Sequence, residues 1–393
     1  MLATRETADT RASRRWACRF AVGTTVAVCA IATLFSKASA VHATQDVHTA
    51  APKSTREVGA TDGSRYVGEE KCLSCHTDLS SQPSTGMGMA ALDPSAPGVH
   101  EDSSMSFRSG EYTVTLTKVR EGLQMTASDG RESLTLPVRW VFGQGYSGQT
   151  FLLEQDGKFY ESRASYYKTI LNLDLTIGHT KRPPVTALAA LGRLLPDEEV
   201  KKCFSCHTSE DMFEGRLDVK QAHPGVTCEN CHGAGSEHAV KMAGSQRPNG
   251  NDATIFDPAL LAPTDLNDLC GSCHRTTRDV LNSGIRDIRN VRFQPYRLEN
   301  SRCYDPSDER ITCVACHNPH RNLQTSTVAY DAKCLACHAR RGDKPGRQKA
   351  AACPRAANQC VTCHMPKLEL PGAHFAFTDH YIRIVQPNMP YPD

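Results

Sequence analysis

Residues 228–238 read Cys-Glu-Asn-Cys-His-Gly-Ala-Gly-Ser-Glu-His, and the first five of them form a C-x-x-C-H pattern. A random chain of this composition would contain only about 0.03 copies of that pattern. This chain contains seven, which we number motifs 1 to 7: Cys72–His76, Cys203–His207, Cys228–His232, Cys270–His274, Cys313–His317, Cys334–His338 and Cys360–His364. One short turn in each motif presents two thiols and an imidazole together. The fold must therefore be organised around what these residues hold.

C-x-x-C-H is the attachment sequence of c-type haem, in which two thiols bond the porphyrin and the histidine becomes the proximal iron ligand. Zinc knuckles do not require the trailing histidine, and a redox C-x-x-C would occur once. We predict seven covalently attached haems. The attachment cysteines are Cys72, Cys75, Cys203, Cys206, Cys228, Cys231, Cys270, Cys273, Cys313, Cys316, Cys334, Cys337, Cys360 and Cys363. The proximal ligands are His76, His207, His232, His274, His317, His338 and His364.

Residues 1–40 have the pattern of a signal peptide. An arginine-rich start precedes an apolar run from Phe20 to Phe35, and Ala38-Ser-Ala40 follows as a cleavage pattern. That run falls short of the ~20 residues of a spanning helix. A retained anchor helix and cleavage after Ala43 are the alternatives. We expect an exported protein in an oxidising compartment, either the periplasm or the cell surface.

Four cysteines lie outside the motifs. Cys18 and Cys29 fall within the signal segment, so Cys303 and Cys353 remain. Export favours a disulfide between these two over a pair of separate thiols. The bridge would close a loop of about 50 residues and contribute ~4 kcal/mol in the chain-entropy model.

The histidine count favours bis-histidine coordination, which gives six-coordinate iron suited to electron transfer. Beyond the proximal residues and the two near the signal junction, His42 and His48, seven histidines remain as distal candidates: His100, His179, His223, His238, His320, His374 and His380. His238 and His320 follow motifs 3 and 5 so closely that we expect each to reach a neighbouring haem. Met87, Met89 and Met365 are alternative ligands, which would raise a haem's potential.

Composition limits the function classes. The chain has 393 residues, is 39% hydrophobic and only 6% aromatic, and carries 45 basic against 43 acidic residues. No broad basic face for nucleic acid is expected. A chain this poor in core residues would depend on porphyrin for its interior and would not fold stably without it.

We predict an α+β fold with much irregular loop, in which short helices surround stacked haems and a small antiparallel β insert interrupts them. The predicted segments are a signal peptide (1–40), a linker (41–65), a first haem-binding segment (66–98), the β-rich insert (99–182) and a six-haem domain (183–393). Period-two alternation places strands at 112–119, 123–127, 133–138, 149–153 and 158–162. Helices are expected at 185–195, from Pro196 to motif 2, and at 235–243, 258–273 and 328–338.

Over about residues 66–384 the sequence resembles exported bacterial multihaem cytochromes with a β insert, and tetrahaem cytochromes that take electrons from hydroxylamine oxidoreductase. The resemblance lies in the stretches 140–151, 160–167, 176–179, 203–208, 225–238, 360–367 and 374–383. It implies electron transfer between haems, with His238, His320, His374 and His380 as distal ligands. Some members carry tetratricopeptide repeats after the haems. This sequence ends soon after His380, so docking through repeats is not expected.

We therefore expect an electron carrier that passes electrons along bis-histidine haems between redox-protein partners, with a membrane-associated complex as a possible setting. It would have no substrate chemistry of its own. One alternative is a multihaem oxidoreductase with an open haem, acting on a nitrogen or sulfur oxyanion held by Arg139, Arg163 or Arg182. The other is a haem filament in which the next subunit supplies a distal histidine.

Overall fold

Residues 91–194 contain a ten-stranded sheet, the largest sheet of the described residues, and burial alternates along strands such as Tyr112–Val119. The computed structural model describes residues 65–102, 104–120, 122–209, 212–213, 216–244, 252–338, 352–386 and 388–392. The predicted signal peptide and all of the predicted linker except Arg65 lie outside the described residues.

The strands are short and join neighbours along the chain by tight turns. The sheet strands are β1 (Ala91–Leu92), β2 (Ser106–Ser109), β3 (Tyr112–Val119), β4 (Gly122–Ser128), β5 (Ser133–Phe142), β6 (Gly148–Gln155), β7 (Lys158–Ser162), β8 (Ala164–Tyr167), β9 (Asn172–Leu175) and β10 (Gly192–Leu194). Their order is β10-β7-β6-β5-β4-β3-β2, all antiparallel, with β1 beside β5 and β8 between β6 and β9. Three two-stranded ribbons lie elsewhere: Thr208–Ser209 with His223–Pro224, Met212–Phe213 with Arg216–Leu217, and Lys367–Glu369 with Ala376–Thr378.

The sheet has its own hydrophobic core. Val114 and Leu116 on β3 alternate with polar residues, and Met125 on β4 pairs directly with Leu116. Helix Ala187–Leu191 packs against β3, β4 and β5 and buries Leu191 in the same cluster. The predicted antiparallel insert is therefore present, and short strands at 91–92 and 192–194 extend it on either side.

Helices dominate the rest of the described chain and are mostly one to three turns long. The α-helices are Glu69–Leu73, Ala187–Leu191, Asp197–His207, Glu229–His232, Ser236–Ala243, Pro263–His274, Thr277–Ser283, Gln294–Glu299, Cys313–Cys316, Asp331–Leu335 and Cys360–His364. Single 3₁₀ turns occur at Thr77–Leu79, Gln82–Ser84, Pro258–Leu260, Ile288–Arg292, Glu309–Ile311 and Val328–Tyr330. Mixed α+β structure with much loop confirms the predicted fold class.

Sequence signals placed some helices well and others badly. Pro196 precedes three acidic residues in the first turn of Asp197–His207, which favour the positive end of the helix dipole and start it where predicted. The helix predicted over 185–195 is wrong in its second half, because Gly192–Leu194 pair with β7. A side chain at Gly192 would meet the Glu161 carbonyl oxygen at 2.4 Å, so this close strand contact needs glycine.

Candidate haem-binding site

One continuous cavity of 4170 Å³ runs through the cysteine-rich part of the protein. We call it the motif cavity, because thirteen of the fourteen motif cysteines and all seven motif histidines line it. Its volume is several times the roughly 300–1,000 Å³ of a pocket for one small molecule. The motifs, although scattered over nearly 300 residues of sequence, thus open into one space.

The motifs are neighbours in a connected order. Four thiol pairs lie within hydrogen-bonding range: Cys72 with Cys228, Cys206 with Cys273, Cys270 with Cys313, and Cys334 with Cys360. Two further pairs are close enough to interact electrostatically, Cys231 with Cys273 and Cys316 with Cys334. The resulting order is motif 1, 3, 4, 5, 6, 7, with motif 2 beside motif 4.

Backbone carbonyls fix the orientation of several proximal histidines. The Nδ1 atoms of His207, His232 and His364 lie 2.8, 3.0 and 2.9 Å from the carbonyl oxygens of Ala90, Phe256 and Arg383. Since a carbonyl only accepts, Nδ1 must carry the proton and Nε2 keeps its lone pair. This is the tautomer that ligates a metal through Nε2, with an outer partner holding the ring.

Three predicted distal histidines face a proximal histidine of a different motif. The ring centroids of His76 and His238 are 6.3 Å apart, those of His232 and His320 are 6.1 Å apart, and those of His317 and His380 are 6.2 Å apart. Their interplanar angles are 19°, 14° and 46°. With metal–imidazole bonds of about 2 Å, two rings on opposite sides of one ion have centroids about 6 Å apart.

Burial favours the neutral form of five cavity histidines. Desolvation lowers the pKa of His207, His274 and His317, and also of His320. The effect is largest at His380, whose pKa falls to about 4. Neutral imidazole is the form that binds a metal ion.

The other four distal candidates lie away from the motif cavity. His100 stacks on Tyr166 with ring centroids 4.4 Å apart, and His223 Nδ1 lies 3.0 Å from the carbonyl oxygen of Pro224. The Nε2 atoms of His179 and His374 lie 3.0 and 2.6 Å from the carboxylates of Glu161 and Asp174. None of the four lines the cavity, so the structure brings together three of the seven predicted distal residues.

The methionine and arginine candidates also differ in whether they line the motif cavity. Met87 and Met365 line the motif cavity, whereas Met89 packs against the sheet core. Arg163 is buried and donates to Ser109 Oγ and to two backbone carbonyls, and Arg139 pairs with Glu154. These two guanidinium groups are thus engaged within the protein.

The predicted Cys303–Cys353 disulfide is not formed in this structure. Both residues line the motif cavity, and Cys303 lies near the motif 6 thiol of Cys337. Cys303 thus faces the shared cavity. This placement corrects the sequence-based expectation, which followed only from counting the cysteines left over.

Sequence reasoning missed Asp252, which holds His238. The Asp252 Oδ2 atom lies 2.7 Å from His238 Nδ1, and its other oxygen accepts from Lys241 Nζ at 2.7 Å. Asp252 lies 14 residues after His238 in a polar stretch, and no spacing rule connects the two. Only the fold could reveal this contact.

The residues present fit haem. The cavity supplies paired thiols beside imidazoles, three of which are oriented by backbone carbonyls, and this is the donor set of a c-type attachment site. Among the described residues, no three Cys, His, Asp or Glu side chains converge as they would around a bare metal ion. No helix in the described part of the chain is long and apolar enough to cross a membrane.

Comparison with known proteins agrees with this class of site. The family model "Cytochrome c554 and c-prime" matches residues 186–233, which contain motifs 2 and 3. Over these residues the chain is similar to that cytochrome family.

Two individual proteins are similar to it. The multiheme cytochrome MtrA of Shewanella baltica (strain OS185) is 26% identical over 176 residues, which are 42% of this chain and 45% of that protein. The chain therefore matches less than half the length of that relative. The crystal structure of the outer cell wall cytochrome OcwA has a TM-score of 0.47 and 15% identity, covering 82% of this chain and 80% of that one.

Proposed function

We propose that this protein is an exported heptahaem electron carrier whose three cross-motif histidine pairs each hold one iron from both sides. The observation that carries this proposal is the separation of 6.1–6.3 Å between the ring centroids of each pair. When bound, haem between two imidazoles supplies one-electron chemistry without an open coordination position.

The pairing also holds the motifs together. His238 follows motif 3 but faces motif 1, and His320 follows motif 5 but faces motif 3. His380, beyond motif 7, faces motif 5. Each distal residue therefore links its own segment to another haem. The first link joins motifs 1 and 3, which are neighbours in the thiol order, and the other two each pass over one motif, 4 or 6. This favours a conduit in which charge enters and leaves at different motifs.

The rest of the chain insulates and orients the haems. Apolar side chains such as Phe204 and Phe142 pack around His207 at motif 2, and the sheet core lies behind them. Redox proteins would be the donor and acceptor, and the N-terminal signal supports a periplasmic or cell-surface location.

The test is the spin state of the iron in purified holoprotein. His238→Ala, His320→Ala and His380→Ala should each convert one haem from low spin to high spin and create one site that binds carbon monoxide. Pyridine haemochrome analysis should give seven haems per chain.

His223→Ala provides the comparison, because it removes a histidine that lies outside the motif cavity. It should leave every haem in its original spin state. The proposal fails if the three cavity variants keep all haems low spin, or if His223→Ala also opens a haem.

A further inference from the structure

The three proposed distal histidines differ in what holds them. His380 Nδ1 lies 3.0 Å from the carbonyl oxygen of Thr378, a neutral acceptor. His238 Nδ1 lies 2.7 Å from Asp252 Oδ2, a carboxylate. The proximal histidines with described Nδ1 contacts at motifs 2, 3 and 7 also face neutral carbonyls.

Asp252 is built as an anion. Its side chain is only 5% exposed, and it accepts hydrogen bonds from Lys241 Nζ, Thr254 N and Thr254 Oγ1 besides His238. The ring of His238 therefore contacts a buried carboxylate that is also paired with the cation of Lys241.

A carboxylate partner makes an imidazole ligand more basic. A more basic ligand donates more electron density and stabilises ferric iron over ferrous iron, and a nearby negative charge acts in the same direction. The cation of Lys241, 2.7 Å from the other carboxylate oxygen, opposes part of this effect.

We infer that Asp252 lowers the midpoint potential of the motif 1 haem, acting through His238 as a positioning residue. This inference rests on the proposed ligation of motif 1 by His238. The two other histidine pairs have no carboxylate hydrogen bond among the described contacts of their distal rings. Motif 1 stands at the end of the neighbour order, so the Asp252–His238 pair makes that end the more reducing one.

The experiment is a redox titration of the holoprotein followed by optical spectroscopy and by EPR of the low-spin signals. The motif 1 component is identified as the low-spin signal lost in His238→Ala. Asp252→Asn should shift the midpoint potential of this component upward. Lys241→Met, which leaves the carboxylate unopposed, should shift it downward.

Asp218→Asn is the matched control, because it removes the same charge from a carboxylate that lies outside the motif cavity and accepts from Lys220 N. It should leave the motif 1 component in place. Haem content and far-UV circular dichroism show that each variant is folded. A merely structural Asp252 would give equal, small changes in all components.

The outcomes separate the two proposals. If His238→Ala opens one haem but neither Asp252→Asn nor Lys241→Met moves its potential, the inference is wrong and the ligation stands. A shift of the same sign in both variants would also overturn it. If His238→Ala leaves every low-spin signal unchanged, the proposed ligation itself fails.

Discussion

The interior of the sheet differs from that of the cysteine-rich region, residues 196–386, which contains motifs 2 to 7. The sheet and its helix bury nineteen hydrophobic residues in one cluster between Leu92 and Leu191. In the described part of the chain beyond motif 2, the corresponding cluster has three members, Val280, Phe293 and Tyr296. That region is instead built around the motif cavity. The difference shows that one polypeptide combines a sheet with its own hydrophobic core and a region arranged around a large cavity.

The largest expected effect separates these two modules by withholding haem. Without thioether attachment, residues 196–386 should lose protection from protease, whereas residues 91–194 should keep it. The reason is that burial of apolar surface stabilises the sheet, while the other region gains its folding free energy from the bound group. Limited proteolysis with mass spectrometry measures the difference, with holoprotein as the reference. Equal protection of both regions from protease would contradict the proposed difference between their interiors.

A fully buried ion pair joins two distant segments of the cysteine-rich region. Arg297 and Asp379 have fully buried side chains joined by bonds of 2.9 and 3.0 Å, and Tyr391 lies 4.6 Å from the guanidinium. Arg297→Gln removes one of the two arginines that pair with Asp379, because Arg383 Nη1 also lies 2.6 Å from its carboxylate, so it should cost about 1.5–3 kcal/mol of unfolding free energy.

His380 follows Asp379 directly, and Arg297→Gln should therefore also loosen the ligand proposed for motif 5. Urea denaturation followed through the haem absorption measures both effects. The double variant Arg297→Met with Asp379→Leu removes both fully buried charges and leaves only the partly exposed Arg383 without its carboxylate, so it should lose less stability. A larger loss in the double variant would contradict this explanation.

The sheet should respond to ordinary core mutation. Leu116 is 1% exposed at the centre of the cluster, so Leu116→Ala should cost ~2–5 kcal/mol. Thr117→Ala, at the next position but on the exposed face, should stay within about 0.5 kcal/mol. Far-UV circular dichroism during denaturation of the holoprotein measures both. Similar losses of stability at the two positions would mean that the hydrophobic core does not lie on one face of the sheet.

Much of the sheet could be predicted because its pattern is local. Tyr112–Val119 alternates with period two, and the turn at Asp129-Gly130 joins two of the predicted strands. The strand Gly192–Leu194 was not predicted, because three residues directly after a helix carry no sequence signal that they will pair with a distant strand. The seven motifs could be recognised equally well, since covalent haem attachment requires a fixed local spacing of two cysteines and a histidine.

The pairing of distal histidines could be predicted only in part. Proximity to a motif identified His238 and His320 as residues that reach another haem, and the structure places both opposite other motifs. Counting treated His179 and His374 in the same way, but their contacts to Glu161 and Asp174 depend on tertiary structure. Sequence identifies which residue types are available, whereas the fold decides which of them meet.

The smallest effect tests the edge where sheet and cysteine-rich region meet. Glu161 on β7 lies 3.0 Å from His179 Nε2 and 2.8 Å from Arg193 Nε. Burial raises the pKa of Glu161, but the hydrogen bonds and charges of these two partners outweigh it and lower the pKa overall. The ionised carboxylate therefore stabilises the fold above the unfolded pKa of about 4.3, and this contribution is lost as pH falls through the lower folded value. Thermal unfolding at stepped acid pH should show a smaller acid-induced loss for Glu161→Gln than for the unmodified protein. Glu154→Gln removes only the exposed ion pair with Arg139, so its loss of stability in acid should match that of the unmodified protein. If Glu161→Gln also loses as much stability in acid as the unmodified protein, the contacts of Glu161 at this edge do not stabilise the fold.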